Sequence, residues 1–134
     1  MEVVIDSNVL FRMLISQGEI IDLFFNNILK IYAPQILWEE FCNHEKEILS
    51  KSNLAKKDFQ ILSSLLFSKI TFVSLEEYKK YLPEAKKLLE LHEKDEDFIA
   101  ICLLKCCKLW TYEIRLFEIG FGISTKEISK EINR

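Results

Sequence analysis

Val3-Val4-Ile5-Asp6-Ser7-Asn8-Val9-Leu10 decides the reading of this chain. Three consecutive apolar residues, all β-branched, form a strand that must be covered on both faces. Asp6 ends that strand. Apolar residues then recur at Leu10, Met13 and Leu14, the spacing of one helix face. A buried strand that stops at an acid and turns into a helix is the opening of an α/β unit.

The same alternation continues along the chain. Gly18 breaks the first helix, and Ile20 to Leu29 reads as a second. Lys30-Ile31-Tyr32-Ala33 is a strand closed by Pro34, followed by helix from Gln35 to about Leu49. Asn53 is expected to cap a helix running to Phe67, with Phe59, Leu62, Leu65 and Leu66 inward. Ile70 to Val73 is a strand. Ser74 and Glu77 have capping-box spacing, and helix is expected to about Glu93, with Pro83 opening a new segment. Asp95 to Cys107 is apolar nearly all round, so it is a buried helix. Leu109 to Thr111 and Gly122 to Ser124 are short strands. Ser124 with Glu127 opens a last helix through Ile132. Five short strands separated by helices imply an α/β fold with a parallel sheet and helices on both faces.

The 134 residues suit one domain spanning 1–134, and 49% hydrophobic with 29% charged residues is enough for one core. No apolar run approaches the roughly 20 residues of a membrane span. Met1-Glu2-Val3 shows no basic region before an apolar stretch, so a soluble, cytoplasmic protein is expected, with no membrane partner. Eighteen basic against 21 acidic residues argue against wholesale coating of nucleic acid. The four cysteines have no C-x-x-C spacing. Cys102 and Cys106 share a helix face and read as small buried hydrophobes.

Open parallel sheets carry their functional crevice beyond the carboxyl ends of the strands. Acids fall there: Asp6 after the first strand, Glu40 on the helix after the second, Asp95 opening the buried helix, and Glu113 just past Thr111. Like-charged carboxylates share a pocket only when a cation neutralises them, and hard oxygen ligands select magnesium or manganese. Each acid also has a structural role open to it. Asp6 can start a turn, Asp95 can cap a helix, Glu40 can pair with His44, and Glu113 can sit near Arg115. The functional reading rests on the joint pattern.

In this order the motifs resemble those of a PIN-domain protein, of the kind found as the toxin of virulence-associated (VapBC-type) toxin–antitoxin pairs. Val3 to Leu10 is similar to the first family motif. Pro34 with Glu40-Phe41 is similar to the second. Asp95-Glu96-Asp97-Phe98-Ile99-Ala100 is similar to the third, and Leu109-Trp110-Thr111-Tyr112-Glu113 to the fourth. The resemblance covers essentially the whole chain. It departs from the family at Glu113, where Asp is usual, and Asp97 is a candidate to compensate.

The resemblance implies a PIN-like three-layer α/β/α fold and a metal-dependent endoribonuclease cleaving single-stranded RNA. Asp6, Glu40, Asp95 and Glu113 would be catalytic and would hold Mg²⁺ or Mn²⁺, which would activate water and stabilise the leaving oxygen. Asn8 and Thr111 would orient carboxylates or water, with turn and strand-end hydrogen bonding as their structural alternative. Arg12, one turn beyond Asp6, is a phosphate candidate. The lysines at 46, 51, 56 and 57, and at 79, 80, 86 and 87, read as solvated faces. Trp38 and Trp110 are expected in the core. The implied partners are RNA, an antitoxin protein and a second copy of the chain. The face of Phe59, Leu62 and Leu66 is either the dimer interface or core. An RNA-processing nuclease without antitoxin, or a catalytically weakened PIN fold acting as a binding module, are the alternatives.

Overall fold

A computed structural model describes residues 1–90 and 93–134. Its sheet has five parallel strands in the order β3-β2-β1-β4-β5, with β1 Glu2–Ile5, β2 Lys30–Pro34, β3 Ile70–Val73, β4 Lys108–Trp110 and β5 Gly122–Ile123. Val3, Val4 and Ile5 are wholly buried, as a central strand covered on both faces requires. The chain leaves β1 toward β2 on one side and later returns to β4 on the other. The junction of β1 and β4 is therefore the switch point in strand order.

Helices α1 (Ser7–Ser16), α3 (Gln35–Ser52) and α4 (Lys56–Lys69) pack together. Helix α7 (Glu96–Lys105) lies on β1, β2 and β4, with α5 (Leu75–Tyr78) and α6 (Leu82–Leu89) beside it. Phe98 to Cys102 of α7 are all buried, as its nearly continuous apolar sequence demands. These groups make the outer layers of an α/β/α fold. Phe11, Trp38, Phe41, Phe59, Phe67 and Phe72 form an aromatic cluster between α1, α3, α4 and β3, with neighbouring ring centroids 4.9 to 6.5 Å apart.

Several boundaries differ from the sequence reading, each for a local reason. The helix expected over 20–29 is α2, Glu19–Phe24. It stops early because the Asn26 side chain accepts the Ile28 amide at 2.9 Å, building a turn into β2. Asn53 does not cap the following helix. It closes α3 in the left-handed conformation that Asn tolerates (φ 59°), and Ala55 precedes α4. Leu65 faces solvent rather than the core, at 52% exposed. Phe59 and Leu66 are core residues and Leu62 is partly buried, so of the two roles open to that face the packing fills the core one. Trp110 is core as expected, but Trp38 is 42% exposed, with its ring edge against Phe67. Cys106 is exposed rather than buried, because it ends α7 at φ 53°. The helical reading across 91–92 lies outside the described residues.

Two short elements complete the carboxyl-terminal part. Helix α8, Ile114–Glu118, was not expected from sequence. Gly122 is needed in β5 because a Cβ there would lie 2.8 Å from the Phe117 ring. Helix α9, Thr125–Ile132, opens on the Ser124–Glu127 capping box, and Thr125 accepts the Trp110 indole N–H at 2.9 Å. Ser124→Ala is expected to cost about 1 kcal/mol of stability, read from the midpoint of urea unfolding. Among the described residues no helix is long and apolar enough to cross a membrane.

Candidate functional site

The register of β1 on β4 builds the centre of the site. Ile5 lies opposite Trp110, so the next residue on each strand, Asp6 and Thr111, leave the sheet side by side. The Asp6 amide donates to the Trp110 carbonyl at 3.0 Å and continues the ladder to the edge. The Thr111 hydroxyl donates to Asp6 Oδ2 at 2.7 Å and accepts the Glu113 amide at 3.1 Å. A relay of two hydrogen bonds thus fixes the Asp6 carboxylate from β4. Asp6 and Thr111 are 4% and 1% exposed.

Asp6, Asp95 and Glu113 precede α1, α7 and α8, where a carboxylate would ordinarily cap the helix. None of the three makes a side-chain capping bond within its helix. The capping role open to Asp95 is therefore not taken. Burial is the largest influence on Asp95, and it raises the carboxyl. The charges of Asp6, Glu113 and Glu40 and contact with the Glu113 carboxyl push the same way, to about 7. Asp6 is also raised, first by burial, with Glu113 and Glu40 adding to the effect. The Thr111 hydroxyl and the Ser7 amide oppose it. Glu40 and Glu113 therefore act on both Asp6 and Asp95, so charges from four distant segments meet near the carboxyl end of β1 and β4.

The remaining candidates separate. Asp97 accepts a hydrogen bond from the Tyr78 hydroxyl, which ties it to α5. That carboxylate and burial together raise the Tyr78 phenol. Asp97 thus has a hydrogen-bond partner of its own on α5. Glu40 does not pair with His44, which instead lies 3.6 Å from Glu47. Arg115 faces Glu90 at 3.7 Å rather than Glu113. Asn8 is exposed on α1 and lines a cleft, together with Arg12 and Glu40.

Two residues beside the acids escaped the sequence reading. Ser7 is 4% exposed, and its hydroxyl has no hydrogen-bond partner among the described residues. Tyr112 is 38% exposed, and the Arg12 guanidinium lies 4.7 Å from its ring centroid. Ser7 stood within the first motif, directly after Asp6, and that position was its signal. Nothing in the local pattern around Tyr112 separates an exposed aromatic from a core one.

A family model of the PIN domain matches residues 4–132. The chain belongs to the PIN-domain family. Comparison with curated proteins gave no match. The PIN domain is a nuclease-type fold, and its members are generally metal-dependent nucleases. The donor chemistry in this PIN domain suits a hard divalent cation. Its acids are like-charged, two of them are pushed toward the protonated form, and the Ser7 hydroxyl beside them has no partner among the described residues. Among the described residues no three His, Cys, Asp or Glu side chains are grouped closely enough to hold an ion as they stand. An ion would draw these carboxylates inward or reach some of them through water.

Proposed function

We propose that this PIN domain is a Mg²⁺- or Mn²⁺-dependent endoribonuclease for single-stranded RNA, and the toxin of a toxin–antitoxin pair. Asp6, Glu40, Asp95 and Glu113 would hold the cation. What supports this reading is the placing of Asp6 and Asp95, with Glu40 and Glu113 near enough to raise both carboxyls, at the switch point of a nuclease-type fold. When bound, a divalent ion supplies a polarising charge that activates water and stabilises the leaving oxygen of a phosphodiester.

The chain's own residues have distinct tasks. Thr111 is a positioning residue: its hydroxyl holds Oδ2 of Asp6 and so sets how the carboxylate would present itself to the cation. The Glu113 amide holds Thr111 in turn, which couples the backbone at residue 113 to the orientation of Asp6. Burial of Asp6 removes competing water and strengthens its attraction for a cation. The Glu113 side chain, one methylene longer than the usual Asp, starts from an exposed position just before α8.

The test is cleavage of an end-labelled single-stranded RNA with Mn²⁺ and with chelator. Glu113→Asp is expected to keep the rate within about tenfold, or ~1.4 kcal/mol. Cleavage that needs Mn²⁺ supports the reading, and none at millimolar Mn²⁺ contradicts it. The open spacing of the acids and the Glu113 departure favour one second reading, a weakened PIN fold that binds RNA or protein. A gain far above tenfold in Glu113→Asp would establish that weakening. For the toxin role, induced expression is expected to arrest growth, and co-expression of the product of the adjoining gene to relieve it. Unaffected growth would point to RNA processing instead.

A further inference from the structure

Beyond the acids the molecule carries a cleft of about 620 Å³ between α1 and α3. Asn8, Phe11 and Arg12 line it from α1, Glu40 and His44 from α3, and Tyr112 closes it from the segment after β4. Three of its walls come from stretches that carry site acids: Asn8 follows Asp6 by two residues, Glu40 is itself one of the four, and Tyr112 precedes Glu113. The cleft thus shares Glu40 with the acids and runs along the two helices.

Its chemistry is uneven. Lys51, deeper along α3, is held by Glu47 at 2.9 Å, and His44 leans on the same glutamate. Arg12 makes no ion pair among the described residues. Its guanidinium instead lies over an aromatic ring, 4.7 Å from the Tyr112 centroid. A second aromatic surface is present where Phe11 approaches His44 with centroids 6.1 Å apart. An unpaired planar cation against a part-exposed ring, beside a phosphodiester-cutting site, is what a nucleotide requires. The fork takes the phosphate, and the ring face takes the base.

We propose that the cleft between α1 and α3 seats the single-stranded RNA on one side of the scissile phosphate, with Arg12 and Tyr112 as its anchor. Arg12 holds a phosphate adjoining the cut, and Tyr112 stacks on the neighbouring base. The proposal takes its substrate class from the ribonuclease reading. Sequence preference from this anchor is weak, because every base has a stacking face and a phosphate carries no sequence information.

The experiment measures binding of a fluorescein-labelled, mixed-sequence RNA oligonucleotide by anisotropy, in the Asp6→Asn background with chelator, so that nothing is cut. Adding Arg12→Ala or Tyr112→Ala is expected to weaken binding about tenfold each. Tyr112→Phe restores it, since the ring is kept. Arg12→Ala also lowers the slope of log affinity against log salt by about 1, a change that loss of folding would not produce. In the otherwise unaltered chain, Arg12→Ala raises KM far more than it lowers kcat. Affinity within about twofold of the parent in both alanine variants overturns the proposal, as does a parent that binds no RNA. RNA held through Arg12 and Tyr112 but never cut would leave the cleft assignment standing and remove the nuclease reading. Cleavage indifferent to both residues would do the reverse.

Discussion

Asp6→Asn is expected to reduce Mn²⁺-dependent RNA cleavage by at least about 10³-fold, ~4 kcal/mol in the barrier. The substitution is nearly isosteric. The Asn amide oxygen can still accept the Thr111 hydroxyl that now reaches Oδ2 at 2.7 Å, so the edge of β1 and β4 keeps its geometry. What is removed is one full charge, at a position 4% exposed where solvent screens little. Circular dichroism and thermal unfolding should match or exceed the parent, because the change relieves repulsion from Glu113 and Glu40. Initial rates on a labelled RNA decide the matter. A variant cleaving within about threefold of the parent would remove Asp6 from the chemistry.

The second large effect is on stability without metal. The Asp95 carboxyl sits at about 7 in the folded protein, above its ordinary 3.8. Between those values the folded chain retains a proton that the unfolded chain has released. Stability therefore falls as pH rises through this window, and the loss is complete above about 7. Asp6 is shifted in the same direction and adds to the slope. With chelator present, Tm is expected to drop by several degrees between about pH 5 and about pH 8. Asp95→Asn should flatten that slope. Millimolar Mn²⁺ should restore the Tm at the higher pH, because an ion bound by the folded state alone stabilises it by mass action. A chelator-treated protein whose Tm rises across this window would contradict the crowding of charge at the site.

How far the sequence was legible follows from how local each signal is. Val3 to Ile5 could be read because a central strand needs apolar residues at every position, and no surface strand does. The buried helix α7 was readable for the same reason. Helix α8 was not: it has five residues, too few to display a helical period, and its first residue, Ile114, is 75% exposed. Leu65 misled because Leu62, Leu65 and Leu66 crowd two faces of α4, and only packing against α3 and β3 chooses between them. Among the site candidates, Asp6 and Thr111 are joined by a strand register that no local pattern contains. Their pairing needed the motif order. Asp97 is bound by Tyr78, a partner nineteen residues earlier that spacing could not reveal. The Arg12–Tyr112 contact spans one hundred residues of sequence, and it was hidden for the same reason.

Anomalous diffraction from crystals soaked in Mn²⁺ tests the central claim most directly. The account predicts a manganese peak at the carboxyl end of β1 and β4, bound directly or through water by Asp6, Glu40, Asp95 and Glu113, and its disappearance in Asp6→Asn. Saturating Mn²⁺ that leaves this position empty, or a peak unaffected by Asp6→Asn, would contradict it.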